Sequence, residues 1–215
     1  MPLAAPLVLS RVDHLVYATA DLDRGIAEIE RLLGVRASLG GQHPTWGTHN
    51  ALLPLGPRSY LEIIAPDSSH FPSSGERPFG LDRAGPSRLR AWAANATGLE
   101  GLRAAAVRRG VMLGNVISGS RQRTDGTILN WKLTDLSYVV AEGIVPFFID
   151  WGQSPHPAST TPTGATLVNL RAEHPDADRV RKMFEDLALD LTVTLGPVPA
   201  LVAEIECPNG RVLLR

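Results

Sequence analysis

Apolar positions in this chain follow two spacings that alternate in a set order. Val12 to Thr19 is apolar and rich in β-branched residues, which predicts a strand. Asp21 then offers an N-cap, and Leu22, Ile26, Ile29 and Leu33 follow at helical spacing, one stripe of an amphipathic helix. Gly34 is placed to end it at the C′ position. Val35 to Leu39, Thr48 to Leu55 and Ser59 to Ala65 read as three more strands, the last two joined through the turn Gly56-Pro57-Arg58. The order is β-α-β-β-β.

The same order recurs twice. Leu89 to Ala96 predicts a strand, and Thr97 and Glu100 stand as a capping box before a helix that buries Leu99, Leu102 and Ala106 and stops at Gly110. Val111 to Ile117, Ile128 to Thr134 and Pro146 to Trp151 follow as strands, with a short extra one expected at Tyr138 to Ala141. In the third stretch, Thr166 to Ala172 reads as a strand and His174-Pro175-Asp176 opens a helix lined by Val180, Phe184 and Leu187. Leu191 to Leu195, Ala200 to Cys207 and Arg211 to Leu214 complete it, the last two across the hairpin turn Pro208-Asn209-Gly210. The helix starts at Asp21, Gly98 and Asp176 lie about 77 residues apart, which reads as an internal repeat. The expected division is a domain over 11–152 made of two units, 11–66 and 88–152, then a third, degenerate unit over 165–215. The expected fold class is α+β, repeated βαβββ modules forming curled mixed sheets. Two stretches break the rhythm, Pro66 to Ser87 and Gly152 to Gly164, both rich in Ser, Pro or Thr. Segments of that length are linkers between modules or lids over a site.

Composition narrows the function classes. The chain has 215 residues, 44% hydrophobic and 20% charged, with a net charge of −1. A balanced charge without a basic tract gives no case for nucleic acid. No apolar run is long enough to span a bilayer and no signal-peptide pattern opens the chain, so a cytoplasmic protein is expected. The single cysteine, Cys207, rules out an internal disulfide and a cysteine-based zinc site, and fits a small half-buried strand residue.

Side chains alternate across a strand, so a curled βαβββ sheet forms a half-cup with every second residue inside. His14 opens the first strand and Glu62 sits in the apolar run Tyr60-Leu61-Glu62-Ile63-Ile64-Ala65. An imidazole and a carboxylate on neighbouring strands suit a divalent metal. A lone strand histidine is more often a hydrogen-bonded core residue. Glu62 in an apolar strand needs a partner, which could be a metal, an arginine such as Arg58, or water on the outer face.

Asp13-His14-Leu15-Val16-Tyr17 followed by Asp21-Leu22-Asp23 resembles the opening of a glyoxalase-like domain. Gly40-Gly41-Gln42-His43, Gly47 to Gly56, Tyr60-Leu61-Glu62 and Pro146 to Trp151 resemble the branch called glyoxalase-3-like, within the vicinal oxygen chelate superfamily. The resemblance implies paired βαβββ modules with metal ligands on the first and last strands of each. It maps His14 and Glu62 as ligands from the first module, and puts Ala91 opposite His14 and Asp150 opposite Glu62. The second module then offers a carboxylate and no imidazole, a departure from the four-ligand pattern. His43 and Asn50 are expected to face the cup as substrate-binding residues, in preference to His49, and Trp46, Trp131 and Trp151 could form an apolar wall. Asp150 is the candidate proton shuttle.

Two readings follow. One is a lyase or isomerase working through an enolate, with a divalent ion (Zn, Ni, Mn or Fe) on His14 and Glu62 as Lewis acid. The other is a metal-free protein that binds or sequesters a small molecule. Both imply a small-molecule ligand, and an odd third module suggests a homodimer.

Overall fold

The computed structural model describes residues 7–73, 75–83, 85–122, 126–160 and 164–215. The first unit is β1 (Val12–Ala18), α1 (Leu22–Leu33), β2 (Ser38–His43), β3 (Thr48–Gly56) and β4 (Ser59–Pro66). The second is β5 (Arg88–Asn95), α2 (Leu99–Arg108), β6 (Val116–Gln122), β7 (Ile128–Thr134) and β8 (Phe147–Asp150). These strands form one eight-stranded sheet in the order β2-β3-β4-β1-β5-β8-β7-β6. The second half of that order mirrors the first. β1 runs parallel to β4 and antiparallel to β5, and β5 runs parallel to β8. The result is the α+β glyoxalase-like fold.

The repeat holds to the level of single residues at the seam. His14 faces Ala93 and Val16 faces Ala91 across β1 and β5. Both pairs fit one offset, the 77 residues between the helix starts Leu22 and Leu99. Each seam strand also carries one extra residue: Asp13 between Val12 and His14, and Arg90 between Leu89 and Ala91. The offset that relates the strands relates these two bulges as well. A bulge tightens the local twist and re-aims a side chain. Here it turns His14, Val16 and Ala18 to one face of β1, while Leu15 and Tyr17 join the main core on the other.

The third stretch has β9 (Thr166–His174), α3 (Ala177–Asp186), β10 (Thr192–Leu195), β11 (Ala200–Cys207) and β12 (Gly210–Leu214). Its element order matches the other two, but its pairing does not. The strands lie as β10-β9-β11-β12, whereas the first unit's pattern would have put β10, β11 and β12 side by side. The cause is the β9-α3-β10 connection. It makes the short crossover that sets two parallel strands next to each other, whereas β2 lies three places from β1. This small sheet packs on the outer face of the large one. Trp92 of β5 stacks on Phe184 of α3 at 6.4 Å and donates its indole N–H to the Ile144 carbonyl at 2.8 Å. One continuous core joins α1, α2, α3, β9 and β11.

Four local expectations are corrected. The strand expected at Val35 to Leu39 runs Ser38–His43, and that expected at Val111 to Ile117 runs Val116–Gln122. Val111 and Leu113 are buried, but in an irregular segment that packs under α2. Tyr138 to Ala141 is no strand; Ala141–Gly143 forms a 3-10 turn with Ala141 and Glu142 at positive φ. The capping box does not form. Gly98, at φ 64°, is the N-cap of α2, with no side-chain cap. Asp21 and Asp176 do cap α1 and α3, each accepting from a backbone N–H three residues on. Cys207 is half-buried, its Sγ donating to the Gly210 carbonyl. Among the described residues no helix is long and apolar enough to cross a membrane.

Candidate functional site

The inner face of the large sheet closes on a cavity of about 500 Å3, counting its open mouth. The first unit lines it with His14, His43, Trp46, Asn50, Tyr60 and Glu62. The second lines it with Arg121, Trp131, Leu133, Phe147, Ile149 and Trp151. One wall is therefore polar and ionisable and the other, except for Arg121, is aromatic and aliphatic.

The polar wall is a chain of buried groups. Asp13 Oδ1 lies 2.7 Å from His14 Nδ1, and His14 Nε2 lies 3.7 Å from Glu62 Oε2. Asn50 Nδ2 donates to Glu62 Oε1 at 2.5 Å, and Asn50 Oδ1 accepts from the Gly41 N–H at 3.0 Å and from Arg121 Nη1 at 3.4 Å. The 3.7 Å gap is longer than a hydrogen bond. His14 and Glu62 both line the cavity. Tyr60 stacks on the His14 ring at 4.7 Å and fixes its plane. Gly40 is required beside this chain, since a Cβ there would fall 2.1 Å from Asn50 Oδ1.

Asp13 anchors the chain from behind. Its Oδ2 accepts from Trp151 Nε1 at 3.0 Å and sits 3.3 Å from His156 Nε2. Burial pushes the Asp13 carboxyl up, but hydrogen bonds and charge from His14 and His156 outweigh it and hold the pKa below the ordinary aspartate value. An ionised Asp13 keeps a proton on His14 Nδ1, which is how an outer carboxylate fixes the tautomer of a working histidine. Burial holds the His43 imidazole down to about 4; the Glu62 charge opposes this, and Arg121 adds to it. His43 Nδ1 lies 3.2 Å from Thr48 Oγ1, and its ring meets Trp46 and Trp131 edge-on.

Both long segments reach the site. Asp67 fixes the start of the first, accepting from Gln42 Nε2 and from the Ser69 N–H and hydroxyl, with His70 Nδ1 at 2.9 Å. Arg77 donates to the carbonyls of Gly47, Asp67 and His70. So tied, the segment lays Pro78 and Phe79 against the cavity, Phe79 with φ at 60°. The second segment folds back so that His156 meets Tyr60 and Trp151 edge-on and Ala158 packs against Leu52 and Tyr60. Thr161 to Thr163 lie outside the described residues.

The structure thus brings His14, Glu62, His43, Asn50 and Trp131 to one cavity, with Asn50 rather than His49 lining it. Asp150 is the correction. Phe147, Ile149 and Trp151 face the cup, and Asp150 faces an outer cleft shared with Arg11, Arg58 and Asn95, where its Oδ1 accepts from the Gly152 N–H. Glu62 pairs through Val16 and Phe147 through Ala93, 77 residues on, so the residue equivalent to Glu62 is Phe147. The second half offers Ala91 and Phe147, and no metal donor, where the first has His14 and Glu62. Arg58 lies in that outer cleft, so it is not the partner of Glu62. Sequence reasoning missed Asp13, Tyr60, Arg121 and His156. Asp13, an acid in an otherwise apolar strand, was a legible signal. Arg121 lay beyond the strand as first bounded, and His156 comes in from a loop.

A resident divalent ion does not fit these residues well. Catalytic zinc sites use three protein ligands. Among the described residues no three His, Cys, Asp or Glu side chains come together for a metal. His14 and Glu62 supply two donors, Asn50 Oδ1 is engaged, and the Arg121 guanidinium enters the same cavity.

Comparison with known proteins agrees with this architecture. The family model described as a glyoxalase-like domain matches residues 12–188. The chain belongs to the glyoxalase-like domain family. No curated protein matches it. A hypothetical protein from Staphylococcus aureus is similar in structure, with a TM-score of 0.64, 13% identity, and coverage of 94% of this chain and 83% of that one. Methylmalonyl-CoA epimerase from Mycobacterium tuberculosis is similar at a TM-score of 0.46 and 21% identity, covering 70% of this chain and 93% of that one. Identities this low speak to the fold alone.

Proposed function

We propose that the cup binds a small carbonyl compound and moves a proton on the carbon beside the carbonyl, which is isomerase or lyase chemistry through an enolate. The observation that carries this reading is the buried pair His14 and Glu62, Nε2 and Oε2 3.7 Å apart, both residues lining one cavity. Glu62, held by Asn50 through its other oxygen, takes the proton. His14, its Nδ1 proton held by Asp13, presents Nε2 as a second acceptor beside Glu62, and the Arg121 guanidinium supplies the positive charge for the developing oxyanion. The aromatic wall excludes water and strengthens both effects.

Two alternatives are separable. In the metal reading, a Zn, Ni, Mn or Fe ion sits on His14 and Glu62, and a Glu62 that ligates a metal is not free to take a proton. The metal-free binding reading is favoured by Ala91 and Phe147, which leave the second half of the cup without counterparts of His14 and Glu62.

The test is deuterium exchange from D2O into a panel of small 2-oxo and 3-oxo acids, read by proton NMR. Wild type is expected to exchange the carbon-bound proton at least 100-fold faster than Glu62→Gln. Binding without exchange would replace the proposal with the sequestering reading. Exchange abolished by a chelator and restored by one divalent ion would replace it with the metal reading.

A further inference from the structure

The cup wall opposite the ionisable groups has a feature that proton transfer alone does not require. Trp46, Trp131 and Trp151 stand in a row, with ring centroids 6.4 Å apart in the first pair and 5.3 Å in the second. All three line the cavity, and Phe147 carries the aromatic surface on to the His14 ring at 5.4 Å. Gly119 sets the middle ring. It pairs with Trp131 across β6 and β7, and a Cβ at Gly119 would fall 2.4 Å from Trp131 Nε1. The indole therefore lies across a strand position that is bare of a side chain.

Arg121 is two residues further along β6, on the same face and about 7 Å away by strand geometry. It is 7% exposed and lines the same cavity, packed so closely on β2 that a Cβ at Gly40 would fall 2.7 Å from its Nη1. Among the described lining residues it is the one arginine, and no lysine joins it. His43, held down to about 4 by burial, is uncharged near neutral pH. Arg121 is also tied to the proposed base. A single side chain, Asn50, accepts from Arg121 Nη1 at 3.4 Å and donates to Glu62 Oε1 at 2.5 Å. A guanidinium carries several N–H donors in a planar fork, enough to hold Asn50 and an anionic ligand together. An acid group held there puts the carbons next to it beside Glu62, and leaves the indole row for whatever those carbons carry.

We propose that the substrate of the cup is a 2-oxo acid with an aromatic group on its third carbon. Its carboxylate and 2-oxo oxygens lie side by side and match the bidentate Arg121 fork. C3 then falls to Glu62, and the ring to Trp131 and its neighbours. Glu62 takes a C3 proton, the C–H electron pair becomes the C2–C3 double bond, and the carbonyl pair moves onto the 2-oxo oxygen beside Arg121. Return of a proton to C3 reverses each change. This names the substrate class for the proton transfer proposed above and rests on it for the place of the reacting carbon.

The experiment measures deuterium exchange into pyruvate, phenylpyruvate and phenylacetone by proton NMR, each as an enhancement over its uncatalysed rate. Calorimetric titration of the intact protein with the same three compounds runs beside it. Phenylpyruvate is expected to exceed pyruvate, which lacks the ring, and phenylacetone, which lacks the carboxylate, by about tenfold or more in both enhancement and affinity. Gly119→Ala, which displaces the Trp131 indole without removing it, is expected to cut the advantage over pyruvate by about tenfold. Arg121→Gln is expected to cut the advantage over phenylacetone, with Arg121→Lys, which keeps the charge and loses the fork, as the second variant should the first not fold. Equal enhancement and affinity for all three compounds, or ratios that neither variant moves, overturn the substrate class and leave the proton transfer standing. Exchange absent from all three, with phenylpyruvate still bound about tenfold tighter than the others, overturns the proton transfer and keeps the ligand class. Neither exchange nor preferential binding overturns both.

Discussion

The two halves of the large sheet share a backbone and differ in chemistry. In the first, the bulge and the residue after it are Asp13 and His14, with Glu62 on the parallel neighbour. In the second, the same three places hold Arg90, Ala91 and Phe147. The seam register places all six positions equivalently, so the difference lies in side chains alone. The fold supplies two inward-facing positions per half, and this chain spends only one half on ionisable groups. The other half became a largely hydrophobic wall, and its bulge holds Arg90, whose buried Nε has no hydrogen-bond partner. A shared scaffold therefore fixes where chemistry can sit without fixing that it does.

That contrast can be broken most severely at Asp13. Asp13→Ala leaves His14, Trp151 and His156 without their common acceptor in a buried place. We expect a loss of about 3–5 kcal/mol in stability, read by urea unfolding. Arg90→Ala at the matching bulge should cost much less, because it removes a half-exposed side chain whose buried Nε has no hydrogen-bond partner. Similar losses at both bulges would show that the asymmetry has no energetic content.

Acid should reveal the polar half next. His43 titrates near 4 in the folded chain against an ordinary 6.5. The unfolded chain therefore takes up the proton first as pH falls. His43's contribution is intact above pH 6.5 and is lost progressively down to about pH 4, by roughly 3 kcal/mol in all. His43→Gln should flatten that part of the stability profile. An unchanged slope in the variant would mean that His43 is more solvated than its position implies.

A smaller effect is expected at Gly40, where an alanine would press on Asn50 and loosen its hold on Glu62. We expect a cost of about 1–3 kcal/mol, with ligand affinity in the cup falling by more than stability alone explains. Gly85→Ala, whose added Cβ would meet Arg90 Nη2 at an ordinary 3.6 Å, should leave the cup's affinity unchanged.

Much of this was legible in one sequence. Three successive β-α-β-β-β orders, the caps at Asp21 and Asp176, and His14 and Glu62 on one cavity all follow from local patterns: alternation, helical stripe and turn residues. Strand bounds near Val111 and Val35 were misread, because buried apolar residues in an irregular segment look like a strand until hydrogen bonding decides. Asp150 was misplaced by matching the final strands, three residues from the true equivalent Phe147, and a shift by any odd number moves a side chain to the other face.

The amino-acid sequence by itself determined the elements, their order and the half of the cup that carries ionisable groups, because those depend on short-range periodicity and residue type. Only the tertiary structure decided that β9 pairs with β10 and sends the third unit to the outer face, that Phe147 stands where Glu62's counterpart would be, that Asp13 and His156 back the polar wall, and that Arg121 reaches Asn50 from the second half. Pairing, register and bulges join residues tens of positions apart. No local pattern encodes them, because the free energy that selects them comes from burial and hydrogen bonding across the sheet.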